Sequence, residues 1–394
     1  MITIQLGQYG NQVGPALFQQ ILKNAQQLEQ NISQFFRYSE KLNILTPRSV
    51  LVDMEPKVIN QALQAAVPTY LQNQTVIRQS GAGNNWAHGY KIFGPQVIEE
   101  IMDCIQHEAE QVDQKLEFLT ISSLAGGTGS GLSSYLLQAL SAEYKNIKSN
   151  SILPFSRGEI NTQCYNSVLS LSQLLQHANQ VNLISNDQIK EIYLKSFPQQ
   201  TQPTFQQLNR VISHNMSLNL DQNILTLPLQ KLVNFSCTPS VDTQTQRKLF
   251  SVLPTARQMI LQGSFSDSQL SFKPDKQDKY VQKYLSGRVK IFGTPKQNVE
   301  KFNEELQKLK QVCFSTSFHT KCHIEHCEKE IFGGCAALSL NGLLLKQEIR
   351  LLQSDLIQKM ARRQYLYLFQ QKGVEEDEIE EALGVVEGVI KAYE

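Results

Sequence analysis

Gly126, Gly127, Thr128, Gly129, Ser130 and Gly131 fill six consecutive positions of the chain. These residues carry no general acid or base; what they offer is backbone. Glycines let the main chain approach a ligand closely and adopt unusual dihedrals. Backbone N–H groups at the start of a helix suit an anion, and Thr128 and Ser130 add hydroxyl donors. The chemistry implied is a phosphate cradle, with a plain tight turn as the bland alternative. A Walker loop is excluded, because no Lys follows the glycines. The GxGxxG dinucleotide fingerprint is not supplied either.

Three further stretches could serve the same ligand. Gly7-Gln8-Tyr9-Gly10-Asn11 places two amide side chains beside two glycines. Asp53 and Glu55 are paired carboxylates, a hard-oxygen set suited to Mg2+, although a solvated strand end reads the same way. Gly81-Ala82-Gly83-Asn84 combines small residues with an amide. Cys322-His323-Ile324-Glu325-His326-Cys327 invites a zinc reading, but in a strand positions five apart face opposite sides, and no second pair completes a tetrahedral site. No nucleophile or acid–base constellation stands out, and no residue is assigned a catalytic role.

Each candidate needs an element to hold it. The apolar run Phe118, Leu119, Ile121, Leu124 reads as a strand before the glycines, and Leu132, Tyr135, Leu136, Ala139 and Leu140 form a helical stripe after them. Ile2, Ile4 and Leu6 alternate with Thr3 and Gln5 as a half-buried strand, followed by a glycine loop and a helix through Leu17, Phe18 and Ile21. Val50 to Val52 is a buried strand that delivers Asp53. Residues 24–47 read as a surface loop with short helical pieces. Pro95 to Val112 is a helix, Ile152-Leu153 a strand, Asn166 the start of another helix, and Val181 to Ile184 a strand ending at Asn186-Asp187. Thr204 to Asn223 reads as one long helix, as does Leu343 to Gln371. Gly373 breaks the latter before a final acidic helix.

The chain has 394 residues, net charge +1, 41% apolar residues and seven cysteines. That length exceeds one ordinary core. The near-neutral balance argues against a nucleic-acid surface. No run is long enough for a membrane span, and the odd number of scattered cysteines suggests free thiols in a reducing compartment.

Taken together, the strings GQYGNQVG, DMEPKVINQ, SGAGNNWA and AGGTGSG, and the order in which they occur, resemble the nucleotide loops of the tubulin family. MEPKVINQ is nearer to the delta class than to the alpha or beta classes. The resemblance implies an α/β fold: a tubulin-like GTPase domain with a Rossmann-like parallel sheet, a core helix, a smaller α+β intermediate domain and C-terminal helices. The expected spans are 1–203, 204–223, 224–340 and 341–394. It implies GTP or GDP held by Gln8, Tyr9, Ala82, Gly83, Asn84, Ser123, Ala125 and Gly126 to Gly131, with Glu159 as an acidic ribose contact. Asn186 and Asn209 would meet guanine and Phe205 would stack on it. Asp53 and Glu55 would recruit Mg2+. Tyr9 replaces the family's usual Cys, and Gln163-Cys164-Tyr165-Asn166 stands where the family has EPYN, so a charge is lost at Gln163.

The implied role is a GTP-binding cytoskeletal protein of centrioles, basal bodies and cilia. It would act in triplet-microtubule assembly or stability, with alpha, beta and epsilon tubulins and centriolar proteins as partners, and without nucleic acid or membrane. A polymerising GTPase of the alpha/beta type, another minor class such as gamma or epsilon, and a nucleotide-dependent enzyme are the competing readings. Family resemblance places Asn234 where a neighbouring subunit's carboxylate assists hydrolysis. No Asp or Glu lies between Asp221 and Asp242, so weak or partner-dependent turnover is expected.

Overall fold

The computed structural model describes residues 1–28, 31–39, 43–113, 115–158, 160–220, 226–238, 286–292, 322–327 and 335–394, with positions 300 and 304. The sequence reading at Glu159 lies outside the described residues. By compactness the chain divides into two units, Met1–Gln19 with Asn31–Asn186 and Leu345–Glu394, and Gln20–Gln30 with Asp187–Leu344.

The first unit is built on six parallel strands: β1 (Ile2–Leu6), β4 (Ser49–Asp53), β5 (Thr75–Ile77), β6 (Phe118–Ser123), β7 (Ile147–Leu153) and β8 (Gln180–Ser185). Their spatial order is β5-β4-β1-β6-β7-β8. From β1 the chain therefore builds outward through β4 and β5, then returns to the other side of β1 for β6, β7 and β8. This is the doubly wound order, whose reversal lies between β1 and β6. In such sheets ligands bind beyond the carboxyl ends of the strands at that reversal.

Central position explains one departure from expectation. All five residues of β1 are buried, because a parallel sheet covered on both faces has no wet side. Inside, Gln5 donates Nε2 to Ser49 Oγ (2.7 Å) and Tyr70 Oη (3.1 Å), while its buried Oε1 has no partner. β7 is also longer than its apolar end suggests. Its buried Ser149 and Ser151 hydroxyls pair at 2.9 Å, and Ser151 also pairs with Ser122 at 3.2 Å.

The helices of this unit are α2 (Pro56–Leu63), α3 (Gly94–Ala109), α4 (Ser133–Glu143) and α5 (Gln163–His177). α1 (Gly7–Leu28) begins at the first glycine itself, so the expected Gly7–Gly14 loop is already helical. Residues 24–47, expected as loop, hold the end of α1 and a hairpin, β2 (Phe36–Ser39) with β3 (Ile44–Pro47). Arg37 of β2 is fixed by a bidentate pair with the buried Glu108 of α3 (2.8 and 3.1 Å).

Between Leu343 and Gln371 one helix was expected. There are two, separated at Arg362–Tyr365, where Arg363 (φ 51°) and Tyr365 (φ 62°) are left-handed. Tertiary bonds hold this break: Tyr165 Oη donates to the Gln364 carbonyl at 2.8 Å, and Gln364 N–H to the Lys359 carbonyl at 2.8 Å.

The second unit contains α6 from its second residue (Asn186–Ser196), then α7 (Phe205–Ser217) and a mixed sheet ordered β11 (Cys322–Cys327), β10 (Ser286–Phe292), β12 (Cys335–Asn341), β9 (Leu232–Thr238). α7 is shorter than the Thr204–Asn223 helix expected. It opens with a capping box between Thr204 and Gln207 and ends at Ser217, with Leu218 as C-cap; residues 221–225 lie outside the described residues. Beyond these come α8 (Lys346–Ala361), α9 (Leu366–Gln370) and α10 (Glu376–Tyr393), which belong to the first unit. Among the described residues no helix is long and apolar enough to cross a membrane.

Candidate functional site

Two of the glycine segments leave the sheet from β1 and β6, on either side of the strand-order reversal, and they touch. A Cβ on Gly7 (φ 66°) would stand 2.9 Å from the backbone nitrogen of Gly129, and one on Gly10 would stand 2.3 Å from the Ile121 carbonyl oxygen. Neither place admits a side chain. The third segment packs on the fourth: a Cβ on Gly127 would lie 2.6 Å from Ala82 Cβ and 2.8 Å from Asn85 N, and one on Gly131 would lie 2.1 Å from the Trp86 carbonyl oxygen. Gly83 (φ 60°) and Gly126 differ, since a Cβ on either would meet nothing within 4 Å. These two glycines bare their backbone to open space, as a site for a closely approaching ligand requires.

Helical turns of the wide, i+5 type occur at His88–Phe93, after the Gly81–Asn84 segment, and at Thr128–Leu132, within the Gly126–Gly131 segment. Such turns are rare and occur often at functional sites. The amides that open the helix after Gly126 have no partners within it, which suits them to phosphate oxygens. Ser130 does not add its hydroxyl to that set. The residue is buried and its Oγ donates back to the Gly126 carbonyl. Thr128 is half-buried, and Ser123 Oγ accepts from Ala125 N–H at 3.3 Å.

Around this cradle Gln8 and Asn84 are exposed. Asn11 is buried; its Nδ2 donates to the carbonyls of Gly7 (2.9 Å) and Val52 (3.0 Å), joining the first segment to the end of β4. The Asn11 Oδ1 and the Tyr9 hydroxyl are buried without a partner. Burial alone raises the Tyr9 phenol, which stays protonated.

Asp53 ends β4. The residue is 5% exposed, and burial pushes its carboxyl pKa up to about 6, against weaker opposing bonds from backbone N–H groups. It has no cationic partner among the described residues. Glu55 occupies the N-cap position of α2 but makes no side-chain cap bond; its Oε1 lies where a Cβ on Gly81 would come within 2.3 Å. Two carboxylates, one desolvated, fit a hard cation that keeps waters and takes the rest of its ligands from phosphate. They are not a self-sufficient metal centre: among the described residues no group of three or more His, Cys, Asp or Glu could hold an ion. The Cys322–Cys327 stretch is a strand.

The sequence reading treated one further residue as a helix start and as the last position of the EPYN-like string, with no bonding role. Asn166, in the first turn of α5, donates Nδ2 to the carbonyls of Asn84 (2.8 Å) and Ala125 (2.7 Å), and its Oδ1 accepts from Trp86 N–H (2.9 Å). It ties the third segment to the fourth.

The parallel 3-2-1-4-5-6 sheet and the glycine segments meeting at its reversal account for the family match. Residues 1–194 match the model of the Tubulin/FtsZ family, GTPase domain. The N-terminal half of this chain is a tubulin/FtsZ-family GTPase domain. Over 234 residues the chain is 37% identical to the tubulin delta chain of Canis lupus familiaris and, separately, to that of Homo sapiens; over 235 residues it is 37% identical to that of Mus musculus. Each match covers 55% of this chain and 51% of the relative. The chain thus spans about half the length of the curated relatives it matches.

Three site residues expected from the resemblance remain, Asn186, Phe205 and Asn209. Asn186 is the half-buried first residue of α6. In the second unit Phe205 is 64% exposed at the first position of α7, and Asn209, one turn on, is buried. Asn234 is buried in β9 and donates Nδ2 to the Gly342 carbonyl at 2.8 Å.

Proposed function

We propose that this chain binds a guanine nucleotide, GTP or GDP, at the cradle formed by the four segments, and works as a cytoskeletal protein of the delta-tubulin kind. The observation that carries the reading is the convergence of two side-chain-excluding glycine segments at the strand-order reversal, next to two glycines whose backbone stands open. The phosphate chain would lie on Gly126 to Gly131 with Ala82 to Asn84 beside it. Asp53 and Glu55 would hold Mg2+, which when bound supplies charge neutralisation at the phosphates. Ser123, Ala125, Gln8 and Tyr9 would line the cradle; Glu159, Asn186, Phe205 and Asn209 would take ribose and guanine. Association with other tubulins in centrioles and basal bodies follows from the likeness to delta chains.

The test is direct. Purified protein is denatured and the released nucleotide identified, then stripped protein is titrated with GTP, GDP and ATP, with and without Mg2+. Guanine nucleotide in the supernatant, or selective rebinding, supports the reading. Protein that neither carries nor binds GTP or GDP overturns it.

A further inference from the structure

We propose that Asn166 is the positioning residue that sets the spacing of the third and fourth segments, and through it the fit of the phosphate chain. The inference rests on the guanine-nucleotide reading above and adds to it a residue that touches no ligand. Asn166 is fully buried, and both of its amide hydrogens and its carbonyl oxygen are used. All three bonds go to backbone atoms of the two segments that would enclose the phosphates: the carbonyls of Asn84 and Ala125, and the N–H of Trp86.

The bond to Asn84 falls where it is most needed. Gly83 (φ 60°) and Asn84 (φ 52°) are consecutive left-handed residues, and the second has a side chain. A non-glycine residue in that region costs free energy and persists only when its surroundings over-determine it. The Asn84 carbonyl receives two donors, Asn166 Nδ2 (2.8 Å) and Thr162 Oγ1 (3.0 Å). With its peptide fixed, the exposed Asn84 side chain and the open Gly83 backbone keep one orientation. The segments are also packed closely, Gly127 against Ala82 and Gly131 against Trp86. Asn166 adds three directional bonds to that steric contact.

The experiment uses the full chain and two variants. Asn166→Asp keeps the shape but replaces both donors with an acceptor, setting it against two carbonyl oxygens. Thr162→Val is the milder variant and removes only the second bond to Asn84. Affinities for GDP and for guanosine, which has no phosphate, are measured by competition, with near-ultraviolet circular dichroism as the check on folding. Loss of charge-assisted phosphate bonds through misplacement predicts that GDP weakens by about tenfold or more in Asn166→Asp and by about threefold in Thr162→Val. Guanosine affinity stays unchanged in both. Equal weakening of GDP and guanosine would reduce Asn166 to a general structural role and overturn the proposal, as would unchanged GDP affinity in either folded variant. If Asn166→Asp does not fold, the Thr162→Val result decides. Wild-type protein that binds no guanine nucleotide sinks the functional reading itself; wild type that binds, with variants that match it, sinks only the clamp.

Discussion

Gly126 and Gly131 are five residues apart in one glycine-rich run, yet the structure assigns their missing side chains to different causes. A methyl on Gly131 would meet only backbone: the Trp86 carbonyl oxygen at 2.1 Å, Tyr90 N at 2.8 Å and Gly89 Cα at 2.9 Å. None of these can swing away, and Trp86 is itself fixed by Asn166 and by Nε1 donation to Ser134 Oγ at 3.0 Å. Overpacking of this kind typically costs about 1–3 kcal/mol and can cost more, so Gly131→Ala is placed at roughly 3 kcal/mol or above. A methyl on Gly126 would meet nothing within 4 Å, and the residue has no left-handed φ. There Ala restricts the unfolded chain and should stabilise by about 0.4–1 kcal/mol. Its cost appears only with ligand. Obstructing one charge-assisted bond from backbone N–H to phosphate, at about 1.5–3 kcal/mol, weakens binding by roughly 10- to 100-fold. Urea unfolding and titration with a fluorescent guanine nucleotide read the two quantities separately. Gly126→Ala that destabilises as much as Gly131→Ala, or that binds nucleotide as wild type does, would refute the reasoning.

Other expectations follow from the same contacts. The buried Asp53 has a native pKa of about 6 against an ordinary 3.8; the native state thus holds a proton that the unfolded state has lost, and stability of the ligand- and metal-free chain falls as pH rises between those values, by roughly 3 kcal/mol in all. Asp53→Asn should remove that slope in urea melts at pH 4 to 7 and stabilise the chain at pH 7, and an unchanged slope would count against a desolvated carboxylate. Glu108→Ala leaves Arg37 buried without its partner and should cost about 3–5 kcal/mol; a loss under 1 kcal/mol by chemical denaturation would show the pair to be dispensable. With Asn234 buried and no carboxylate between Asp221 and Asp242, GTP turnover by the purified chain alone should be slow, and rapid, concentration-dependent release of phosphate would favour a self-assembling GTPase instead.

Legibility tracked the scale of the interaction. Gly126 to Gly131 could be read as a cradle because glycine's restraint is local: the residue type states that backbone, not side chain, must lie there. The pairing of Gly7 with Gly129 could not be read, since it depends on β1 and β6 being neighbours across 111 intervening residues of chain order. β7 was legible only at Ile152-Leu153, because Lys148, Ser149, Asn150 and Ser151 look like surface until their partners are known; Lys148 reaches Glu117 at 3.4 Å and the serines bond to one another. The break at Arg362–Tyr365 has no Gly or Pro to announce it and is held from outside by Tyr165. Asn166 belongs to the same class. Its local environment predicts a helix start, while three bonds to residues 41 to 82 positions away define what it does. Where a polar side chain is fully buried and fully bonded to the backbone of other segments, its meaning is the distance it fixes between them. In this GTPase domain that distance is the width of the cradle, so the residue that controls the ligand most closely from behind is one that the ligand never meets.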